Sequence, residues 1–75
     1  MNKKLYYTVE RELERINDTL KTTGFKTITM YSIDNNVPEK IGDLYIENEG
    51  NSIDMMDEYL SDNGYGDESF DFILL

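Results

Sequence analysis

The sequence predicts an α+β fold in which a small antiparallel sheet is packed by one or two helices. Three observations carry that expectation. Residues 25–33 and 41–47 alternate apolar and polar side chains with the period of two that a half-buried strand requires. Residues 53–62 carry apolar side chains at helical spacing. Between these segments Asn, Asp, Gly and Pro punctuate the chain where regular structure has to turn or stop.

Taken in order, residues 3–8 read as a short strand, because Leu5, Tyr6, Tyr7 and Thr8 have good strand propensity. Residues 9–21 read as a helix: Val9, Leu13, Ile16 and Leu20 recur on one helical stripe, and Arg11–Glu14 and Glu12–Arg15 are i,i+3 pairs. The competing reading continues the strand through residue 13, with Leu5, Tyr7, Val9 and Leu13 on one face and Arg11 interrupting it. Gly24 suits a stop. In residues 25–33, Thr27, Thr29 and Tyr31 alternate with Ile28, Met30 and Ser32. Asp34 to Lys40, with Asn35, Asn36 and Pro38 inside it, reads as the turn of a hairpin. Residues 41–47 return with Leu44 and Ile46 inward and Asp43, Tyr45 and Glu47 outward. Asn51 or Ser52 caps a helix over 53–62, whose inner stripe is Ile53, Met56 and Leu60 with Met55 and Tyr59 at its flank. Asn63-Gly64 ends it, and residues 69–75 close with a strand. The expected order is β-α-β-β-α-β, the ferredoxin-like order in miniature, or β-β-β-α-β if residues 9–21 are strand.

With 75 residues there is room for one domain, spanning residues 1–75. The chain has no Cys, His or Trp. Zinc and iron–sulfur sites, Cys or His nucleophiles and disulfide staples are thereby excluded. No apolar run approaches the roughly 18 residues that span a bilayer, and Met1 to Tyr7 does not form a signal peptide. A soluble intracellular protein is the expectation, with no membrane partner. A domain this small, without metal or disulfide, has a thin stability margin, and homodimerisation is one natural remedy.

Net charge is −9, and it is unevenly placed. Residues 1–40 hold seven bases against six acids, a net of +1, whereas residues 41–75 hold ten acids and no base, a net of −10. Ordinary surfaces mix signs because unrelieved repulsion costs stability; a field of one sign steers a partner of the other.

Four kinds of chemistry were weighed against this background. The segment Asp62-Asn63-Gly64-Tyr65-Gly66-Asp67-Glu68 fails as a calcium loop, since Gly64 and Gly66 stand where ligands belong and Ile73 stands at the twelfth position. The pairs Asp57–Glu58 and Asp67–Glu68 read as solvated carboxylates, not a glycosidase dyad. Tyr6, Tyr7, Phe25, Tyr31 and Tyr45 lack the basic surroundings of a nucleic-acid stacking platform, so direct nucleic-acid binding is not expected. No catalytic residue, metal ligand or cofactor is assigned, and the chain is read as a non-enzyme. The acidic half remains. Asp54, Asp57, Glu58 and Asp62 fall on one helix face, where they imitate a row of phosphates. Asp43, Glu47, Asp67, Glu68 and Asp71 extend the field, and Tyr45, Tyr59 and Tyr65 supply aromatic anchors.

In size, charge, lack of cysteine and α+β build, the chain resembles the small acidic anti-defence proteins of phages and mobile elements, which include DNA-mimic inhibitors of restriction enzymes and anti-CRISPR proteins. The stretch from Tyr59 to Glu68, ending Phe72-Ile73-Leu74-Leu75, is similar to accessory proteins of Gram-positive mobile elements. The resemblance implies an inhibitor that docks an acidic face onto the basic, nucleic-acid-binding surface of a host nuclease. The other expectation is a small structural or regulatory partner protein, dimeric through a sheet edge, whose acidity serves solubility.

Overall fold

The computed structural model describes residues 3–66 and 68–75, with Asp34 described by its backbone alone. Two dipeptides turn the chain. Asn17 and Asp18 hold φ of 51° and 62°, and Asn35 and Asn36 hold 55° and 64°. Positive φ at both central residues makes the two-residue hairpin turn whose twist matches that of the flanking strands, and Asn and Asp tolerate it best after Gly. The result is a meander of long strands, β1 (Lys3–Ile16), β2 (Thr19–Asp34) and β3 (Val37–Glu47), followed by helix α1 (Ser52–Leu60) and strand β4 (Phe70–Leu74). The sheet order is β3-β2-β1-β4. The β1–β2 and β2–β3 pairs are antiparallel, and β4 lies parallel to β1. The parallel pairing follows from the connection: β3 runs in the direction of β1, and a helical crossover brings the chain back to start a strand in that same direction.

One face of the sheet is apolar. Cross-strand neighbours place Tyr7 beside Met30, Ile28 between Val9 and Leu44, and Leu5 beside Phe72. α1 lies over these side chains and contributes Met56 and Leu60 to a core shared with Leu5, Ile28, Met30 and Ile46. Each of these fully buried aliphatic side chains contributes about 1.5–3 kcal/mol. Gly42 lets the helix approach: a Cβ there would collide with the ring and hydroxyl of Tyr59. Asn51 caps α1, its Oδ1 accepting from the backbone N–H of Ile53 and Asp54 at 3.1 and 3.2 Å. The helix widens into a looser turn over Ser61–Tyr65 and is broken by Gly64 at φ 93°, a conformation glycine adopts without strain. No described helix is long and apolar enough to cross a membrane.

The structure corrects the expected fold on four counts. Residues 9–21 are not a helix. They are the outer part of β1, the turn at Asn17-Asp18, and the start of β2, so the β-α-β-β-α-β order is overturned. The strand continues past residue 13, to Ile16. The sheet is mixed rather than antiparallel, and a single helix packs it. The hairpin turn that the sequence spreads over residues 34–40 is confined to Asn35-Asn36; Pro38 sits in β3, where an edge strand tolerates its missing N–H.

The outer hairpin has a physical consequence. β3 pairs with β2 only from Phe25 onward, and β4 pairs with β1 only up to Tyr7. Residues 12–24 therefore project as a two-stranded ribbon. At about 3.3 Å per residue, the 16 residues of β2 account for the 49 Å long axis of the molecule. Leu13 and Leu20 share one face of this ribbon and are 60% and 57% exposed.

Candidate functional site

α1 divides its side chains cleanly. Met56 and Leu60 face the sheet, and Asp54, Asp57 and Glu58 face outward, with Asp62 continuing the row on the widened turn. All four carboxylates are exposed, and among the described residues none takes a hydrogen bond or an ion pair. Helical rise of about 1.5 Å per residue spreads them over about 12 Å, or one charge per about 4 Å. One strand of duplex DNA carries one charge per about 3.4 Å of axis.

This row works against the helix that carries it. Asp54 suits the positive N-terminal end, but Asp57, Glu58 and Asp62 approach the negative C-terminal end, where the last turn holds no basic residue. Asp54 and Glu58 are i,i+4 neighbours of like charge, and Asp62 follows Glu58 at the same sequence interval. Each such pair costs about 0.2–0.5 kcal/mol. A helix arranged for stability alone would place Lys or Arg at these later positions.

Of the other acidic residues named from the sequence, Asp43 and Glu68 are taken up in ion pairs of their own. Asp43 is on the opposite face of the sheet, beside Thr29. It pairs with Lys40 at 2.8 Å and accepts from the Thr29 hydroxyl at 2.8 Å. The hydrogen bond from the Lys40 ammonium, then that from Thr29, hold its carboxyl below the ordinary aspartate value. Asp43 in turn holds Lys40 above the ordinary lysine value. Glu68 is ion-paired with Lys3 at 2.6 Å. Asp71 lies on β4 in register with Lys4. Asp67 lies outside the described residues. Of the aromatic anchors, Tyr59 packs into the core over Gly42, and Tyr65 meets the ring of Phe70 edge-on at 6.2 Å.

Glu47 and Tyr45 belong to a feature that the sequence reading did not assemble. At the open edge of β3, Phe25 and Tyr45 stack with ring centroids 5.0 Å apart and planes 12° from parallel. The Tyr45 hydroxyl donates to Glu12 Oε2 at 2.8 Å, which pins the ring and raises the phenol above its ordinary pKa. Between this stack and the first turn of α1 runs a groove of about 480 Å³, walled by Ile46 and Met55 and flanked by Glu47 and Asp54. The available signal was the strand alternation, which puts Phe25 and Tyr45 on the face turned away from Ile28 and Leu44. What it lacked was the register that makes them diagonal neighbours.

The loop behind the groove is held by Lys26, the one buried charged residue among those described, 6% exposed. Its ammonium donates to the carbonyls of Asn48 and Gly50 at 3.0 and 3.3 Å. Asn48 also accepts from Arg11 at 2.8 Å, and its side-chain amide donates to the carbonyl of Thr23. No group of three or more acidic residues among those described converges on a metal-binding geometry. Comparison with known families, curated proteins and solved structures found no match to this chain.

Proposed function

We propose that this chain is a non-enzymatic interaction protein that docks the outer face of α1 onto a basic, nucleic-acid-binding surface of a partner, in the manner of an anti-CRISPR or anti-restriction inhibitor of a host defence nuclease. The observation that carries the reading is the unpaired row Asp54, Asp57, Glu58 and Asp62. Its charge density along the axis approaches that of a nucleic-acid strand, and it is maintained at a cost to the helix. Steering by such a field gives fast association that weakens with salt.

The test is inhibition of DNA cleavage by a panel of purified CRISPR effectors and restriction enzymes, at low and high salt. The control is a variant with Asp54→Asn, Asp57→Asn, Glu58→Gln and Asp62→Asn. The expected result is inhibition that falls with salt and is lost in the variant. Inhibition that is equal in parent and variant, or absent across the panel, overturns the reading.

A second reading is a structural or regulatory partner protein that self-associates. It is favoured by the exposed Leu13 and Leu20 on a ribbon that nothing covers. Its mark is a mass that rises with concentration in sedimentation and is insensitive to salt.

A further inference from the structure

We propose that the groove between the Phe25–Tyr45 stack and the first turn of α1 receives an arginine side chain of the partner protein. This rests on the proposed docking of a basic surface and names the side chain that anchors it. Four features of the groove point to arginine.

The stacked pair is solvent-facing, with Phe25 40% and Tyr45 56% exposed, and a guanidinium stacks on an aromatic face. The Tyr45 ring is held in place by its hydrogen bond to Glu12, so little freedom is lost when a ligand lies on it. Glu47 and Asp54 stand on two sides of the opening, one from the sheet and one from the helix. Neither carboxylate takes a hydrogen bond or ion pair among the described residues, and each is an acceptor for the planar fork of an arginine. Finally, Ile46 and Met55 give the walls an apolar surface suited to the methylene stem of a long basic side chain.

Lysine meets the first and third of these requirements less well, because its compact ammonium neither stacks nor forks. An anion is disfavoured by Glu12, Glu47 and Asp54 together. Lys26, which holds the loop behind the groove, is buried and engaged by two backbone carbonyls. The groove also lies beside the carboxylate row: Asp54 belongs to both. A partner whose basic surface meets α1 therefore brings its side chains to the groove in the same encounter.

The experiment titrates three capped peptides into isotopically labelled protein at low salt and follows backbone amide shifts. Their sequences are identical except that the basic positions are all arginine, all lysine, or the uncharged norleucine. The expected result is that the arginine peptide binds about fivefold more tightly than the lysine peptide, with shifts centred on Phe25, Tyr45, Glu47, Gly50 and Met55. Tyr45→Leu and Phe25→Leu, each checked for an unchanged fold by circular dichroism, bring the arginine peptide down to the lysine level. Equal binding of the arginine and lysine peptides to the parent overturns the proposal. So does a norleucine peptide that binds as well as the arginine one, or an arginine preference that survives both leucine variants. A third variant, Asp57→Asn with Glu58→Gln and Asp62→Asn, leaves the groove intact. If docking by α1 is correct, it weakens the arginine and lysine peptides alike and preserves their ratio. If it weakens neither while the ratio persists, the groove stands and the docking role of the helix row falls.

Discussion

Tyr59 reads from the sequence as an aromatic anchor at the flank of the helix, and the structure seats it on Gly42, so the pair offers a sharp test of the packing. Gly42→Ala places a methyl group into the Tyr59 ring. Overpacking a well-filled site costs about 1–3 kcal/mol. Replacing Gly by Ala in an ordered strand returns about 0.5–1 kcal/mol of backbone entropy. The net expectation is a loss of up to about 2.5 kcal/mol, against a total of roughly 4–11 kcal/mol for a chain of this length. For a domain this small, each kcal/mol lowers Tm by about 4–8 °C. Urea unfolding followed by circular dichroism measures the change, and an unaltered slope shows that the unfolded state is not involved. The decisive step is the double variant with Tyr59→Ala. Removing the ring abolishes the collision, so the double variant loses less than the sum of the two single losses, by about 1 kcal/mol or more. If the effects of the two single variants simply add, Tyr59 does not sit on Gly42 and is free to act as an anchor.

Neutralising Asp57, Glu58 and Asp62 with their amide isosteres raises stability by about 0.5–1 kcal/mol, because like-charge neighbours and an unfavourable helix end are relieved; a drop in Tm means the row stabilises the fold instead. Lys26→Met leaves the Asn48 and Gly50 carbonyls without their donor and costs about 1–3 kcal/mol, with faster amide exchange in residues 48–51 as the local sign. Leu13→Ser changes stability by less than about 0.5 kcal/mol, whereas Leu5→Ala costs about 2–5 kcal/mol, and equal losses would mean that the ribbon is packed against something. The Asp43 carboxyl is lowered in the folded state by Lys40 and Thr29, so its contribution is present above its unfolded value of 3.8 and is lost as pH falls through the lowered folded value. Asp43→Asn should therefore flatten part of the acid limb of a stability–pH curve. Tyr45 is raised by Glu12, so its contribution is full below its unfolded value of 10.0 and fades as pH climbs through the raised folded value. An ultraviolet titration in which one tyrosine ionises late in the parent, and no longer does so in Glu12→Gln, checks the assignment.

How much was legible in the chain varies by segment, and the reason is burial. Between residues 25 and 47 one face of each strand is covered by α1, so the alternation of Ile28 and Met30 with Thr27 and Thr29, and of Leu44 and Ile46 with Asp43 and Tyr45, is written plainly. The cap at Asn51, the stop at Gly64 and the outward row of Asp54, Asp57, Glu58 and Asp62 are local features, set by backbone hydrogen bonding and helical periodicity, and they too are readable. Most of residues 9–21 lies in the ribbon, where α1 covers neither face. α1 has nine residues, about 14 Å of axis, and cannot cover a sheet almost 50 Å long. Beyond its reach neither face of the ribbon is buried, so Arg11 and Arg15 share a face with Leu13, and Glu12 and Glu14 share one with Ile16. What remains is an accidental helical stripe of Val9, Leu13, Ile16 and Leu20, and the turn chemistry of Asn17-Asp18 was the better local guide.

Composition and charge order along the chain determined that the C-terminal half is a field of one sign with no His or Cys chemistry. Only the tertiary structure decided which carboxylates act together. Asp43 and Glu68 are drawn off by Lys40 and Lys3, and Tyr59 is half-buried against Gly42. Phe25, from one strand, and Tyr45, from its neighbour, meet across a register that no local pattern encodes. Strand pairing and helix placement depend on contacts between residues far apart in sequence, and those contacts exist only once the chain has closed on itself.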